Sequence, residues 1–84
     1  MNIYVGNLDF KVSENDLVEI FEEFGTVSSA KIIIDKFSDR SKGFGFVTME
    51  NDEQANKAIS ELHGAEFKNR DMVVNEAKPK KTDY

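Results

Sequence analysis

Residues 43–49 read GFGFVTM and have the alternating pattern of a β-strand with two different faces. Val47 and Met49 suit a buried face. Phe44 and Phe46 point to the opposite side, because successive side chains of a strand alternate. Aliphatic side chains on one face and phenyl rings on the other predict a sheet whose two faces have different surroundings.

The rest of the chain alternates between strand-like and helix-like segments. Ser13 and Asn51 are predicted to cap helices, since Asp16 and Gln54 follow three residues later and apolar residues then recur at helical spacing. Residues 35–41 are polar and are predicted to form a loop. In chain order the predicted elements are a strand at 2–6, a helix from 13 that Gly25 ends, a strand at 27–34, the strand at 43–49, a helix from 51 that Gly64 ends, and a strand at 72–77.

This order, β-α-β-β-α-β, is the split βαβ pattern of ferredoxin-like domains. Crossovers between parallel strands of one sheet are almost always right-handed, so both helices should lie on the same side of the sheet. Each predicted helix has a single apolar stripe and can cover only one face. The sequence therefore predicts one α+β domain, with a four-stranded antiparallel sheet, two helices on one face, and an opposite face open to solvent or a ligand.

The open face is predicted to carry a cluster of aromatic rings. In the first strand Ile3 and Val5 suit the core and leave Tyr4 pointing outward. The split βαβ order makes the first and third strands central neighbours, so Tyr4 should lie beside Phe44 and Phe46. An exposed aromatic cluster usually marks a binding site. The reverse assignment would bury Tyr4 and expose Ile3 and Val5, which is the poorer choice.

Rings on a sheet are suited to stacking bases, because every base has a π-face. Gly43 and Gly45 lie in the same strand as two of the rings. Glycine weakens a strand interior and commonly marks a place where another molecule approaches closely, so the two glycines add to the case for a ligand at this strand. The lysines that could meet phosphates around the rings are Lys31, Lys42, Lys78, Lys80 and Lys81.

The net charge of −5 is unusual for a nucleic-acid-binding chain, but the acidic residues are segregated. Residues 13–24 contain five acidic residues and no basic one, and residues 50–65 contain four acidic residues and one lysine. These two helical segments together carry −8, so the remainder of the chain carries +3. The part of the chain that includes the predicted strands is therefore mildly basic.

Two stretches resemble the paired motifs of a known family. Residues 42–49, KGFGFVTM, resemble the octamer motif of RNA recognition motif domains, and residues 3–8, IYVGNL, resemble the accompanying hexamer motif. The separation of the two motifs and the sequence NEAKP at 75–79 are also similar to this family. The resemblance covers about residues 1–80. Met49 is a departure, because the family pattern has an aromatic residue there.

The resemblance implies a role for each outward side chain. Tyr4 would stack on one base and Phe46 on the next, Phe44 would wedge between ribose rings, and Lys42 would pair with a backbone phosphate. The implied partner is single-stranded RNA, with single-stranded DNA possible, and ~2–4 nucleotides are expected on the sheet. The residues near the sheet edges that would touch base edges or phosphates are Asn2, Lys31, Asn75 and Lys78.

Two other functions remain open. Related domains can hold a protein partner through an acidic helical face or an aromatic-bearing sheet, and Val18 lies beside the acidic run of the first helix. An acylphosphatase-like enzyme shares the topology, but no acid–base pair is evident, so no catalytic residue is assigned. The chain has no cysteine, and its one histidine, His63, is expected to cap a helix or meet solvent. No metal site or cofactor is therefore expected.

Residues 1–78 are predicted to form the domain and residues 79–84 a short basic tail. The N-terminal segment lacks a basic region followed by an apolar stretch, and no apolar stretch is long enough to span a membrane. A cytoplasmic monomer without membrane contact is the expectation.

Overall fold

The computed structural model describes residues 1–77. The predicted tail at 79–84 lies outside the described residues, as do Lys78, Lys80 and Lys81 and their predicted phosphate contacts. Within the described range the elements are β1 (Asn2–Gly6), α1 (Glu14–Glu22), β2 (Ser29–Ile34), β3 (Ser41–Thr48), α2 (Asp52–Leu62), β4 (Glu66–Phe67), β5 (Arg70–Asp71) and β6 (Val73–Glu76).

Four of the strands form one antiparallel sheet in the order β2-β3-β1-β6. Ile3, Val5 and Val47 point to one side of it and are fully buried. Leu17 and Phe21 of α1 lie in the same core, as do Ala55, Ala58 and Leu62 of α2. The predicted α+β ferredoxin-like fold, with both helices on one face, is confirmed.

Both helices begin where the sequence predicts. The Ser13 hydroxyl accepts the Asp16 N–H at 3.2 Å, and the Asp16 carboxylate accepts the Ser13 N–H at 3.0 Å, which completes a capping box. The Asn51 side chain accepts the Gln54 N–H at 2.9 Å. These contacts join residues only three apart, so they are local and predictable from sequence.

The helix α1 ends at Glu22, earlier than the predicted stop at Gly25. Gly25 does not adopt the left-handed conformation of a helix-ending glycine. A Cβ at this position would instead collide with the side chain of Gln54 on α2. Gly25 therefore allows close packing between the end of α1 and the start of α2.

Residues 65–71, which lie between the predicted second helix and the predicted last strand, contain a small hairpin of β4 and β5. Lys68 and Asn69 form its turn with φ angles of 53° and 68°. Two consecutive positive φ angles are typical of the tight turns that match the twist of a hairpin. The stretch is too short for a period-two pattern to reveal its strands.

The structure gives the two glycines of β3 a different role from the predicted one. Gly45 lies on the core side, where a Cβ would collide with the Lys31 carbonyl oxygen of β2. Gly43 has a φ angle of 85°, and its carbonyl accepts the Leu8 N–H at 2.8 Å. The protein's own backbone thus requires both glycines, and the interpretation of Gly45 as a mark of close approach by a ligand is wrong, because the neighbouring strand approaches it instead.

Candidate nucleic-acid interface

The side of the sheet opposite the helices carries a row of four side chains, one from each strand. Tyr4 pairs with Phe46 on β3 and with Asn75 on β6, while Phe46 pairs with Lys31 on β2. Lys31, Phe46, Tyr4 and Asn75 therefore lie side by side across the sheet, and strand alternation places them all outward. Four of the predicted site residues are brought together in this way.

Phe44 joins Tyr4 and Phe46 in one cluster of rings. The Tyr4 ring centroid lies 5.9 Å from those of both phenylalanines, and the two phenylalanine centroids are 6.2 Å apart. The Phe46 ring meets the other two edge-on, a favourable arrangement for aromatic pairs. Phe46 is 36% exposed, and Tyr4 and Phe44 are half-buried, so the cluster is supported by its own contacts yet open to solvent.

Asn2 and Thr48 form a second outward row below the rings. Their backbones are paired, and the Thr48 hydroxyl donates to the Asn2 side-chain oxygen at 2.9 Å. The Asn2 carbonyl accepts the Ala77 N–H at 2.8 Å, so the chain reaches this row immediately before Lys78. Asn2 is exposed and lies beside the rings as predicted, while Lys78 itself is outside the described residues.

Lys42 lies near the start of β3, two residues before Phe44, and is exposed. The positive φ angle of Gly43 interrupts regular alternation at this point. The structure therefore places Lys42 at the end of the sheet where Phe44 lies, clear of the central row. A nucleic-acid strand that passes from the rings over Phe44 would therefore come close to Lys42.

The charges are divided between the two sides of the molecule. The outward positions of the four strands contain lysine, amide, hydroxyl, aliphatic and aromatic side chains but no carboxylate within residues 1–77. The five acidic residues of segment 13–24 lie on or beside α1, which covers the opposite face. A polyanion can thus meet the rings without facing the acidic helix.

A contact between Asn7, the residue after β1, and the β4–β5 hairpin was not predicted. Arg70 donates from Nη2 to the Asn7 side-chain oxygen at 2.8 Å, and the Asn7 amide donates to the Asp71 carbonyl at 2.7 Å. Asn7 has a φ angle of 55°, a conformation that asparagine tolerates better than most residues. The partners are more than 60 residues apart in sequence, so no local pattern signals the contact.

Three large apolar side chains outside the ring cluster are also exposed, namely Phe10 at 67%, Ile34 at 46% and Phe37 at 102%. Phe10 and Ile34 line a groove of about 600 Å³ together with Arg40 and the first residues of α1. Phe10 and Phe37 both lie in polar loop segments, and this position is the sequence signal that could have indicated their exposure. They were not among the predicted site residues.

Three other functions, namely histidine chemistry, metal binding and membrane spanning, find little support in the described residues. His63 accepts the Val74 N–H through Nδ1 at 3.1 Å, so its imidazole joins the end of α2 to β6 and does not simply meet solvent. Residues 1–77 contain no cluster of three or more potential metal ligands. No helix in that range is long and apolar enough to cross a membrane.

An antiparallel sheet with helices on one face, and with rings, amides and a lysine on the other, defines a class of single-stranded nucleic-acid-binding domains. The profile of the RNA recognition motif family matches residues 3–73. The chain belongs to this family, as the octamer and hexamer resemblance predicts.

Similar proteins span nearly the whole chain. RbpA of Synechocystis sp. is 48% identical over 80 residues, which are 95% of this chain and 79% of RbpA. The chloroplastic 28 kDa ribonucleoprotein of Spinacia oleracea is 42% identical over 78 residues, which are 93% of this chain but 34% of that protein. The crystal structure of RNA Binding Protein PG1 superposes with a TM-score of 0.92 at 46% identity, covering 98% of this chain and 99% of that one.

Proposed function

We propose that this chain binds single-stranded RNA on the open face of its sheet. Membership of the RNA recognition motif family supports RNA as the ligand. Among the similar proteins, PG1 is named as an RNA-binding protein and the spinach relative as a ribonucleoprotein. The observation that carries the proposal is the cluster of Tyr4, Phe44 and Phe46 on the face that no helix covers.

Each ring has a proposed task. Tyr4 and Phe46 lie side by side in the central row and would stack on successive bases, each stack contributing ~1–3 kcal/mol. Phe44 lies toward the end of the sheet and would pack between ribose rings. Asn2 and Asn75 have side-chain amides beside the rings, where they would meet base edges.

The phosphates would be met by lysines at the margins of the ring cluster. Lys31 lies at the β2 edge of the central row, and Lys42 lies at the start of β3. Lys78 follows Ala77, whose N–H donates a hydrogen bond to the Asn2 carbonyl. We propose that Lys78 meets a phosphate as well. Each phosphate that is neutralised should steepen the salt dependence by a log–log slope of about −0.7.

The domain would consist of residues 1–78, with residues 79–84 as a basic tail. We propose that it acts as a monomer in the cytoplasm, and that it binds without catalysing a reaction. Single-stranded DNA would bind the same rings, because stacking does not depend on the sugar. A preference for RNA would require contact with the 2′-hydroxyl.

A protein partner is the second candidate. The groove lined by Phe10 and Ile34 favours it, because exposed apolar surface commonly marks a contact with another protein, and the acidic side of α1 lies beside this groove. The two functions differ in their response to salt. RNA binding should weaken steeply as salt increases, whereas an apolar protein interface should respond little.

The test is selection from a random RNA pool, followed by titration of the enriched RNA and of the DNA strand of the same sequence at several salt concentrations. We expect saturable RNA binding that weakens with salt. The absence of binding to any RNA at low salt would contradict the proposed function. Equal affinity for the DNA strand would leave the stacking surface in place and show that no contact with the 2′-hydroxyl favours RNA.

A further inference from the structure

The glycine at the end of β1 is covered by a ring of the open face. Gly6 lies two residues after Tyr4, so both face outward, yet Gly6 is buried. A Cβ built on Gly6 would have the Tyr4 hydroxyl oxygen, Cε2 and Cζ as its three nearest neighbours, with the two ring carbons at 2.7 Å. The Tyr4 ring therefore lies along β1, directly over the Gly6 backbone.

The backbone itself does not require glycine at this position. The φ angle of Gly6 lies outside the left-handed region, unlike those of Gly43 and Gly64. At Gly45 an added Cβ would collide with backbone, but at Gly6 the nearest atoms are the far end of one side chain. A methyl group at position 6 would therefore displace the Tyr4 ring and leave the strand in place.

We propose that Gly6 is a positioning residue for RNA binding, because its missing side chain leaves the space in which the Tyr4 ring lies low against the sheet. In that position the centroid of the ring is 5.9 Å from those of Phe44 and Phe46. A displaced ring would lose this alignment and present its face to a base at a different height and angle. The inference rests on the proposed stacking of a base on Tyr4.

The inference predicts a dependence between two residues. The substitution Tyr4→Ala should weaken RNA binding about 5- to 150-fold, the range expected for losing one stacked base. Gly6→Ala should weaken RNA binding by at least about threefold, since a displaced Tyr4 ring stacks on a base less well than a ring that lies against the sheet. In a chain that already carries Tyr4→Ala, Gly6→Ala should have no further effect, because no ring remains to be displaced.

The experiment compares the parent, the two single variants and the double variant by fluorescence anisotropy. The probe is a fluorescein-labelled oligouridine of about ten nucleotides, longer than the stretch a sheet of this kind holds. Urea unfolding of each variant reports stability, and nuclear Overhauser contacts between the Tyr4 ring and the Gly6 α-protons report the position of the ring.

Every outcome separates the two proposals. If Gly6→Ala binds like the parent while Tyr4→Ala binds weakly, the positioning role is wrong and base stacking on Tyr4 stands. If Gly6→Ala weakens binding equally with and without the Tyr4 ring, its effect does not act through that ring, and the inference is overturned. An unfolded Gly6→Ala chain would show that the strand needs glycine for its own folding, which would also overturn the inference. If Tyr4→Ala binds like the parent, the stacking proposal is what fails.

Discussion

The three rings of the open face are supported largely by one another, and Phe46 is the most exposed of them. Its ring lies edge-on to Tyr4 and to Phe44 and pairs across the strands with Lys31. It is absent from the buried core, which consists of side chains on the other side of the sheet. Binding and folding should therefore be separable at this residue.

We expect Phe46→Ala to weaken RNA binding by ~1–3 kcal/mol while the domain stays folded, because one stacking surface is lost and no core side chain is removed. Titration of labelled RNA and a urea unfolding curve measure the two effects. Phe37→Ala is the matched control, since it deletes a fully exposed phenyl ring in the β2–β3 loop. If the two variants lost the same affinity, the ring cluster would have no special role.

Lys42 has a different expected effect, because it would contact a phosphate, and phosphates are the same in every RNA sequence. We expect Lys42→Ala to weaken binding of all RNA sequences alike and to reduce the log–log salt slope by about 0.7. Lys57→Ala, an exposed lysine on α2, removes the same charge from the helical side and is the control. A loss confined to one RNA sequence would show that Lys42 reads a base.

At the scale of whole elements, the sequence predicts what local contacts and alternation determine. Ser13 and Asn51 cap their helices through residues three positions away, and strand alternation suffices to place Tyr4 and Phe46 on the open face. The bond between Asn7 and Arg70 joins distant segments, and no pattern near either residue indicates it. The same holds for the close packing of Gln54 against Gly25, which joins the segment after α1 to α2.

The irregular register between β2 and β3 is the other feature that local patterns missed. Their register shifts between Ile32 and Ile34. Gly45 pairs with Ile32 beside this irregularity, and the Lys31 carbonyl oxygen occupies the space that a Cβ on Gly45 would need. From sequence alone, a glycine between two outward phenylalanines suggests room for a ligand. Only the packing of β2 reveals that its own backbone fills the space beside Gly45 on the core side.

Gly45→Ala should therefore destabilise folding and should not act as a selective binding mutation. Because the colliding atoms belong to backbone that cannot move aside easily, we expect a loss of about 2 kcal/mol or more in unfolding free energy. Urea unfolding measures it, and Gly6→Ala is the comparison, since there the collision is with a mobile side chain. A normally stable Gly45→Ala protein with impaired RNA binding would restore the ligand-approach interpretation.

For the whole molecule, the relevant quantity is where the charge lies, because the net charge of −5 by itself disfavours a polyanion. The acidic residues of the helical segments lie behind the sheet, while the outward strand positions of residues 1–77 include no carboxylate. This separation should orient an approaching RNA toward the rings. Residues 79–84 add Lys80 and Lys81 against Asp83, so this segment carries a small excess of positive charge.

Removing residues 79–84 tests this charge arrangement and the domain boundary together. We expect the shortened chain to unfold at the same urea concentration, because the truncation removes none of the buried core residues found within 1–77. Its RNA affinity should fall, and the fall should shrink as salt is raised, since two lysines give at most about 1.4 in log–log slope. Replacing Lys80 and Lys81 by glutamine in the full chain should reproduce the binding loss if charge is the cause. A large loss of stability on truncation would instead place the end of the folded domain beyond residue 78.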